Sequence, residues 1–550
     1  MKKNYLLILL LITGLGYSQV TDLIEPKSWS EISSLDNIDV ISIPFLELAK
    51  FMEEDINASS NMIAKPYRFG AKLQANVTPQ THGNTTTLDN GDQIWRVGFH
   101  SSGAKTINFI IEDYHLVDGA ELYIYNADKS MKMGPYTSNE NNKINEITTW
   151  PIDGDKVYVE LYEPSNTIGQ SQFNIATLVH GYRSVPSNDI LGKALNSSGP
   201  CNVDVDCPLG NGFELQKKSV VMLVAGGNGY CSGSLVNNTS EDKTPYILSA
   251  NHCFANNSTA PVGANTSTAF RFNWISPNPS CATFTNSTNG SFLQTLNGAV
   301  VRASDGESDM ILLETTGSNP IPSAWDVVFA GWNRSLTDVP SFTTGIHHPS
   351  GDIMKICRDN DPSSRININF NGYVNRVWLI DNATLGWEEG VTEPGSSGSQ
   401  LLDNNGLIIG VLSGGSAACS GTNDNNGFDV YGRLDEGWSE VGSFLDPTNT
   451  GNLTTDHLTN VLSVDENQRV NIQIYPNPTK NVIYFKSQLL TNEEITYTLY
   501  DIQGRQILKG KLDVSQNQEN EIPLNGVNSG IYLLNLNSKN IKIVEKIVVE

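Results

Sequence analysis

Hydrophobic and polar residues alternate along most of this chain, with the period of two that is typical of β-strands. In the first third of the chain the pattern recurs in TINFIIE, AELYIYN and KVYVELYE. Turn-forming residues separate these segments, and no long stretch has the period of about 3.6 residues that an amphipathic helix shows. The pattern therefore predicts an all-β region without long helices.

The same pattern continues through two further regions. Residues 194–455 contain short apolar segments such as SVVMLVAG, PYILSA, MILLET and GLIIGVL between Gly, Asn and Ser turns. This is typical of a β-barrel or sandwich, and the region is long enough for two barrels. After a linker at 456–470, residues 471–550 alternate in NVIYFKS, ITYTLYD and GIYLLNLN, which predicts a small β-sandwich.

The N-terminus reads MKKNYLLILLLITGLGYSQ and predicts a secretory signal peptide over residues 1–18. No later run is apolar enough to span a membrane, so we expect a secreted, extracellular protein, released or retained at the cell surface. Export makes the seven cysteines disulfide candidates. All seven lie between Cys201 and Cys419, in the central region, but their spacing alone does not select the pairs.

The amino-acid composition and the net charge limit the kinds of partner that we expect the protein to bind. The chain has 550 residues, enough for three or four domains, and a formal net charge of -24. Such an acidic balance argues against binding to nucleic acid or an anionic membrane surface, and it favours basic substrates slightly.

Three central residues could perform acyl transfer. His252 follows an apolar strand in PYILSANHCF, Asp309 precedes another in ESDMILLET, and Ser397 lies in the turn TEPGSSGSQ. A serine hydroxyl becomes a good nucleophile when an imidazole takes its proton and a buried carboxylate orients that imidazole. Small residues around Ser397 allow a tight turn whose N–H groups, those of Gly395 and Ser397, face a developing oxyanion.

Each of these features is weak alone. A Gly-x-Ser-Gly turn is more often an ordinary loop, and a lone His or Asp beside a strand is more often structural. Their combination in an exported β-rich domain favours a catalytic triad. The alternative from a different class is a catalytically weak, protease-like adhesin or binding protein.

Longer strings extend the similarity to a family. CNVDVDCP, CSGSLVNNT, ANHC, SDMILLE, AGWNR, IHHP, GVTEPGSSGS and VYGR resemble segments of the lysyl endopeptidases, secreted bacterial members of the chymotrypsin-like serine proteases. The resemblance implies a chymotrypsin-like double β-barrel with the active site between the barrels. It also implies that His252 is the general base, Asp309 its orienting carboxylate and Ser397 the nucleophile.

The resemblance further implies a disulfide pattern and a specificity residue. The implied pairs are Cys201–Cys419, Cys207–Cys281 and Cys231–Cys253, and Cys357 is left unpaired. A pocket for a cationic side chain needs a carboxylate at its base, because an unpaired buried ammonium is very costly. Asp403 and Asp424 lie in DNNG turns, whereas Asp429 in GFDVYGR matches the family segment that contacts the substrate lysine. We therefore expect Asp429 to form the base of the S1 pocket and cleavage to follow Lys.

One position departs from the family. Where the family commonly has a His that stacks on a Trp, this chain has Ser413 in VLSGG, with Trp378 and Trp387 as candidates for that Trp. The departure leaves mixed Lys/Arg specificity as an alternative, since a guanidinium needs a wider, forked site than an ammonium.

The flanking regions suggest processing. Lys193 in ILGKALNSSGPC lies where mature enzymes of the family begin, so residues 19–193 are interpreted as a β-rich propeptide that the enzyme itself removes. The alternative is a retained substrate-binding domain. IYPNPTKN, LYDIQGRQI and GVNSGIYLLNL resemble the C-terminal sorting domain of type IX secretion, with an adhesion or carbohydrate-binding module as the alternative.

No cofactor or metal is expected. His347 and His348 in GIHHP lack a HExxH helix and are poor candidates for metal ligands. The expected partners are peptide substrates with Lys at the cleavage site and the type IX secretion machinery, and we expect a monomer.

Overall fold

The computed structural model describes residues 24–32, 38–44, 46–60, 65–183, 195–255, 259–291, 294–317, 321–370, 373–380, 386–460, 472–487, 493–501, 505–514, 519–537 and 542–550. One compact unit ends at Asn460 and a second begins at Val461. Strands predominate in both units, which confirms the all-β prediction. Over the described ranges, no helix combines the length and the apolar character needed to cross a membrane.

The N-terminal region is a sandwich of two sheets. Its elements are α1 (Ser28–Glu31), β1 (Val40–Ile43), α2 (Leu48–Ser60), β2 (Tyr67–Arg68), β3 (Gly70–Val77), β4 (Asn84–Thr87), β5 (Gln93–Ser101), β6 (Thr106–His115), β7 (Glu121–Asn126), β8 (Lys132–Tyr136), β9 (Ile147–Thr148), β10 (Ile152–Asp153), β11 (Lys156–Glu163) and β12 (Gln172–Gly181). Within the described residues, one sheet has the order β1-β5-β11-β7-β8 and the other β10-β6-β12-β3. Alternate apolar residues of both sheets, including Phe99 and Phe109, form one core. Helix α2 was not predicted from the sequence.

The central region continues the first unit. Its elements are β13 (Val203–Asp204), β14 (Val220–Ala225), β15 (Gly229–Leu235), β16 (Tyr246–Ala250), β17 (Asn265–Phe272), β18 (Thr295–Asp305), β19 (Met310–Thr315), β20 (Val328–Phe329), β21 (Trp332–Asn333), β22 (Thr343–His347), β23 (Lys355–Asp359), β24 (Ser364–Phe370), β25 (Tyr373–Ile380), β26 (Gln400–Leu402), β27 (Ile408–Gly415), β28 (Cys419–Ser420), β29 (Asn423–Asp424), β30 (Asp429–Arg433), α3 (Leu434–Leu445), β31 (Thr454–Thr455) and β32 (Leu458–Thr459).

These strands form the two barrels of a chymotrypsin-like fold. The first sheet runs β14-β17-β18-β19-β16-β15 and closes into a barrel, because β14 also pairs with β15. The second runs β13-β23-β22-β26-β27-β30-β25-β24. Buried residues from both sheets, among them Leu248, Met310, Ile346 and Val411, share a core cluster between the barrels.

The N-terminal sandwich packs directly on the first barrel. Strand β2 adds to the edge of β15 in antiparallel register, with Tyr67 opposite Tyr230. The rings of Phe69 and Tyr230 stack with centroids 4.4 Å apart. Trp150 covers the guanidinium of Arg271 at 3.9 Å. The predicted propeptide region and the first barrel are therefore parts of one unit, which the sequence pattern did not indicate.

The first unit extends past the predicted domain end at residue 455, because β32 pairs with β20. Residues 461–470, the rest of the predicted linker, and residue 471 lie outside the described residues.

The second unit is a small sandwich by itself. Its described strands are β33 (Ile472–Tyr475), β34 (Val482–Ser487), β35 (Glu493–Asp501), β36 (Gln506–Val514), β37 (Glu519–Pro523), β38 (Gly530–Asn537) and β39 (Lys542–Val549). Among them, β33-β34-β37 form one sheet and β36-β35-β38-β39 the other. Their inward-facing residues, including Phe485, Leu499, Leu534 and Ile547, form a separate core.

Candidate active site

His252 lies at the end of a buried strand of the first barrel. Strand β16 ends at Ala250, and a single 3-10 turn, Asn251–Cys253, then carries the imidazole. His252 is buried, and the neighbouring Cys253 is bonded to Cys231 of β15. The disulfide therefore ties the turn that carries His252 to the strand beside it.

Asp309 is brought beside His252 by strand pairing. Ala250 of β16 lies opposite Met310 of β19, so the residue before β19 meets the turn after β16. Asp309 Oδ2 lies 2.6 Å from His252 Nδ1, and Asp309 Oδ1 accepts the His252 N–H at 2.9 Å. A carboxylate at Nδ1 favours the tautomer with its proton there, which leaves Nε2 as the basic nitrogen.

The turn that carries Ser397 depends on glycine. Gly395 and Gly398 have φ of +103° and +82°, a region that side chains other than hydrogen disfavour. A Cβ on Gly398 would lie 2.2 Å from Ser249 Oγ. The small residues of this turn are therefore required by its backbone and by its close contact with the first barrel.

Strand β15 brings the serine turn and the histidine turn together. The Ser232 N–H donates to the Ser397 carbonyl at 2.8 Å, and Ser232 Oγ donates to the Gly395 carbonyl at 3.1 Å. Cys231, the preceding residue, is the disulfide partner of Cys253 beside His252. One strand thus contacts both halves of the site. His252 Nε2 has no hydrogen-bond partner among the described residues, so it is not bonded to Ser397 Oγ here. Such bonds are often long in ligand-free sites.

The Gly395 and Ser397 N–H groups are available to an incoming group. Within the ranges that the structure describes, neither N–H donates a hydrogen bond to the protein. Between them, the Ser396 hydroxyl lies 2.7 Å from His347 Nδ1 and accepts the Glu393 N–H at 3.1 Å. Burial lowers the pKa of His347 to about 3, so this imidazole is neutral. His347 therefore supports the turn from behind, a role that the sequence did not suggest.

Asp429 is a buried acid in the second barrel. It begins β30, opposite Gly415 of β27. Asp429 Oδ2 accepts the indole N–H of Trp387 at 2.7 Å and the hydroxyl of Thr392 at 2.6 Å. Burial raises the pKa of Asp429 to about 7. Thr392 begins the stretch that leads to Ser397, so Asp429 is connected to the turn that carries Ser397.

Comparison with known proteins identifies the domains. Residues 195–432 match the family "Lysyl endopeptidase, C-terminal domain", and residues 473–550 match "Secretion system C-terminal sorting domain". Residues 195–432 therefore form a domain that is similar to the C-terminal domain of the lysyl endopeptidases. The family resemblance noted in the sequence is thereby confirmed, as is that of the sorting domain.

A curated relative agrees with this assignment. Lysyl endopeptidase from Pseudomonas aeruginosa is 27% identical over 318 residues, covering 54% of this chain and 62% of the relative. The matched region thus spans less than two thirds of that protein.

Solved structures show only slight likeness. Rv3671c from M. tuberculosis H37Rv, in an inactive form, is 16% identical, covers 44% of this chain and 95% of its own, and has a TM-score of 0.27. The BSP domain of a biofilm associated protein is 10% identical with a TM-score of 0.12, over 90% of this chain and 69% of its own. These TM-scores are too low to assign a fold, and the fold is assigned from the strand topology described above.

The domain matched at residues 195–432 contains three disulfides. They are the pairs that the family resemblance implies: Cys201–Cys419, Cys207–Cys281 and Cys231–Cys253. Cys357 is a buried free cysteine, and burial raises the pKa of its thiol well above the ordinary value. A buried thiol that stays protonated is unreactive.

Ser413 lies in an irregular part of β27. Ser413 falls at a register shift between Leu412 and Gly414, and its hydroxyl is buried without a partner among the described residues. Trp387 is engaged with Asp429, whereas the Trp378 indole donates to the Ile409 carbonyl at 3.2 Å.

Two of the predicted features are not described by the structure. Lys193 and the proposed signal peptide at residues 1–18 lie outside the described residues. Ser232, His347 and Glu393 lie at the site although the sequence analysis assigned them no role in it, and Trp387 was considered there only as a stacking partner. All three lie in strings that the sequence analysis quoted, CSGSLVNNT, IHHP and GVTEPGSSGS, and His347 was considered there only as a metal ligand.

Proposed function

We propose that this chain is a secreted serine endopeptidase that hydrolyses peptide bonds after Lys. The observation that carries the proposal is the two-point contact of Asp309 with His252 beside a glycine turn that bears Ser397. The sorting domain and the family match support export and peptidase chemistry. Type IX secretion machinery is the proposed export partner.

In the proposed mechanism, Ser397 Oγ attacks the carbonyl carbon of the scissile bond while His252 Nε2 takes its proton. Asp309 holds the imidazole in the required tautomer and stabilises the imidazolium. The negative oxygen of the tetrahedral intermediate accepts hydrogen bonds from the N–H groups of Gly395 and Ser397. His252 then protonates the leaving amine, and the C–N bond breaks to give the acyl-enzyme. In the second half, a water molecule deprotonated by His252 Nε2 attacks the acyl carbon, and Ser397 Oγ leaves with a proton from His252.

Lysine specificity is supported by the environment of Asp429. Oδ2 already accepts two side-chain donors, whereas Oδ1 faces Gly415, where an added Cβ would lie 2.1 Å away. The backbone of Ala417 also donates to this carboxylate, and an acid with few acceptor positions left suits a compact ammonium better than a forked guanidinium. A substrate lysine would also restore the charged form of Asp429 that burial disfavours.

A self-processing zymogen is supported by the N-terminal sandwich. Strand β2 pairs with β15 at Gly229 and Tyr230, two residues from Ser232, which contacts the nucleophile turn. The N-terminal region therefore lies against the strand that joins both halves of the site. We propose that residues 19–193 are a propeptide that is cut after Lys193.

Two alternatives make different predictions. A protease of mixed specificity would cut after Arg as readily as after Lys. A protease-like adhesin would bind its partner but cut nothing, in spite of the arranged triad.

The test is digestion of a mixed peptide library by the secreted protein, with mass spectrometry of the cut sites. We expect cuts after Lys by the wild type, and none by Ser397→Ala, which should also remain uncut after Lys193. Equal cutting after Lys and Arg would refute the narrow specificity. Undiminished cutting by Ser397→Ala would refute the mechanism.

A further inference from the structure

Two carboxylates hold the segment at residues 195–199, the first described stretch after residue 183. The Asn196 N–H donates to Asp352 Oδ1 at 2.6 Å, and the N–H and hydroxyl of Ser198 donate to Asp352 Oδ2 at 3.1 and 2.5 Å. The Gly199 N–H donates to both carboxylate oxygens of Glu393 at 3.0 and 3.2 Å. Asp352 is fully buried. Hydrogen bonds from N–H groups to ionised carboxylates are among the stronger ones in proteins.

Glu393 also contacts the loop that holds the oxyanion turn. Ser350 Oγ donates to Glu393 Oε2 at 3.2 Å, and the Ser350 N–H donates to the Pro394 carbonyl at 2.6 Å. Ser197 Oγ donates to the Ser350 carbonyl at 3.0 Å. Ser350 is thus contacted by the 195–199 segment, by the Glu393 side chain and by the backbone of the turn.

The bond to Pro394 sets the direction of the Gly395 N–H. In a planar trans peptide the carbonyl and the following N–H point in opposite directions. Holding the Pro394 carbonyl towards Ser350 therefore aims the Gly395 N–H away from that loop. The approach is close, since a Cβ on Gly395 would lie 2.9 Å from Ser350 N.

Ser350 needs support to occupy this position. Its φ of 56° is in the left-handed region, which costs a serine free energy and persists only where its surroundings enforce it. Its side chain is bonded to Glu393 and its carbonyl to Ser197, in addition to the bond from its N–H to Pro394.

We infer that Glu393 is a positioning residue for the oxyanion hole, acting through Ser350 and Pro394. It joins residues 195–199 to the Gly395 N–H, so the segment that follows the proposed propeptide takes part in forming the active site. This inference rests on the proposed serine endopeptidase function. Because the segment is already bound in the uncut chain, the oxyanion turn is assembled before cleavage after Lys193.

The test compares Glu393→Ala, Glu393→Gln and, as a matched acid on an exposed position of the same loop, Glu389→Ala in the full secreted chain. Readouts are kcat and KM on a Lys peptide, affinity for a Lys-directed peptide boronate, and affinity for a simple alkylamine. The boronate forms a tetrahedral anion on Ser397, whereas the amine fills only the lysine pocket.

We expect Glu393→Ala to lower kcat about 10- to 100-fold and to weaken boronate binding similarly, because an oxyanion donor is misdirected. KM and amine affinity should change less than about threefold, since the loss concerns only the transition state. Glu393→Gln should recover most of the loss, because its amide oxygen still accepts from Ser350 Oγ. Glu389→Ala should behave as wild type.

Wild-type kcat and boronate affinity in Glu393→Ala would overturn the inference, as would an equal loss of amine affinity. If Glu393→Ala does not fold, Ser350→Ala removes the same bond while keeping the N–H to Pro394. It should lower kcat in the same direction, and unchanged kcat would again contradict us. Ser397→Ala separates the two claims, because hydrolysis by that variant would refute the proposed function itself.

Discussion

Replacing Asp429 by Asn should remove lysine cleavage and stabilise the protein at high pH. Burial raises the pKa of Asp429 to about 7 from an ordinary value of 3.8. Between these two values the folded state binds a proton that the unfolded state does not. The free energy of unfolding therefore falls as pH rises through this window and levels off above pH 7.

The size of the effect follows from the width of the window. Between pH 5 and pH 7 the free energy of unfolding falls by about 1.36 kcal/mol per pH unit, or about 2.7 kcal/mol in total. Asn cannot ionise, and its carbonyl can still accept from Trp387 and Thr392. Between pH 5 and pH 9, the free energy of unfolding of the variant should therefore fall by about 2.7 kcal/mol less than that of the wild type.

The stability assay is urea unfolding at both pH values, with Ser397→Ala in each protein to prevent self-digestion. Activity is compared in proteins that retain Ser397. There, Asp429→Asn should lower kcat/KM for Lys peptides at least a hundredfold, since a buried charge without its partner costs about 3 kcal/mol or more. Asp424→Asn, which replaces an acid of β29, is the control and should retain cleavage. Parallel pH dependence of stability in Asp429→Asn and wild type would refute the reasoning.

Three further predictions concern the triad, a disulfide and the domain contact. Asp309→Asn should lower kcat by about 10⁴ with little change in folding, because the imidazole loses the Nδ1–H tautomer; active-site titration against urea unfolding checks this. Replacing Cys207 and Cys281 by Ser should lower the free energy of unfolding by about 4 kcal/mol, given the sequence separation of 74; an unchanged urea midpoint would contradict it. Trp150→Ala should release the N-terminal sandwich from the cut protein on size exclusion, because buried Trp to Ala costs about 3–5 kcal/mol and uncovers Arg271. Co-elution as in the wild type would count against that contact.

The strands and the three proposed catalytic side chains could be predicted from the sequence because each has a local signature. His252 and Asp309 lie at the ends of apolar strands, and Ser397 lies in a turn whose glycines are visible in the letters. The strand pairing that brings these ends together follows from the fold. The fold was predicted from the family resemblance.

The residues that support the site could not be predicted from the sequence in this way. Ser232 contacts Ser397 across 165 positions of sequence, and Glu393 reaches Gly199 across 194, so neither spacing carries a signal. A buried neutral His347 has the same letters as a metal-binding one, and only its contact with Ser396 distinguishes them. Strand β2 was missed because two residues at a sheet edge have no periodicity to detect.

The most direct measurement of the central claim is covalent labelling of the secreted enzyme with a diphenyl phosphonate that carries a lysine side chain. Such a reagent reacts only with a serine that a neighbouring base activates. We predict a single phosphonylated peptide that contains Ser397, lost in His252→Ala and greatly slowed in Asp429→Asn. An unlabelled enzyme, or a label on a residue other than Ser397, would contradict the account.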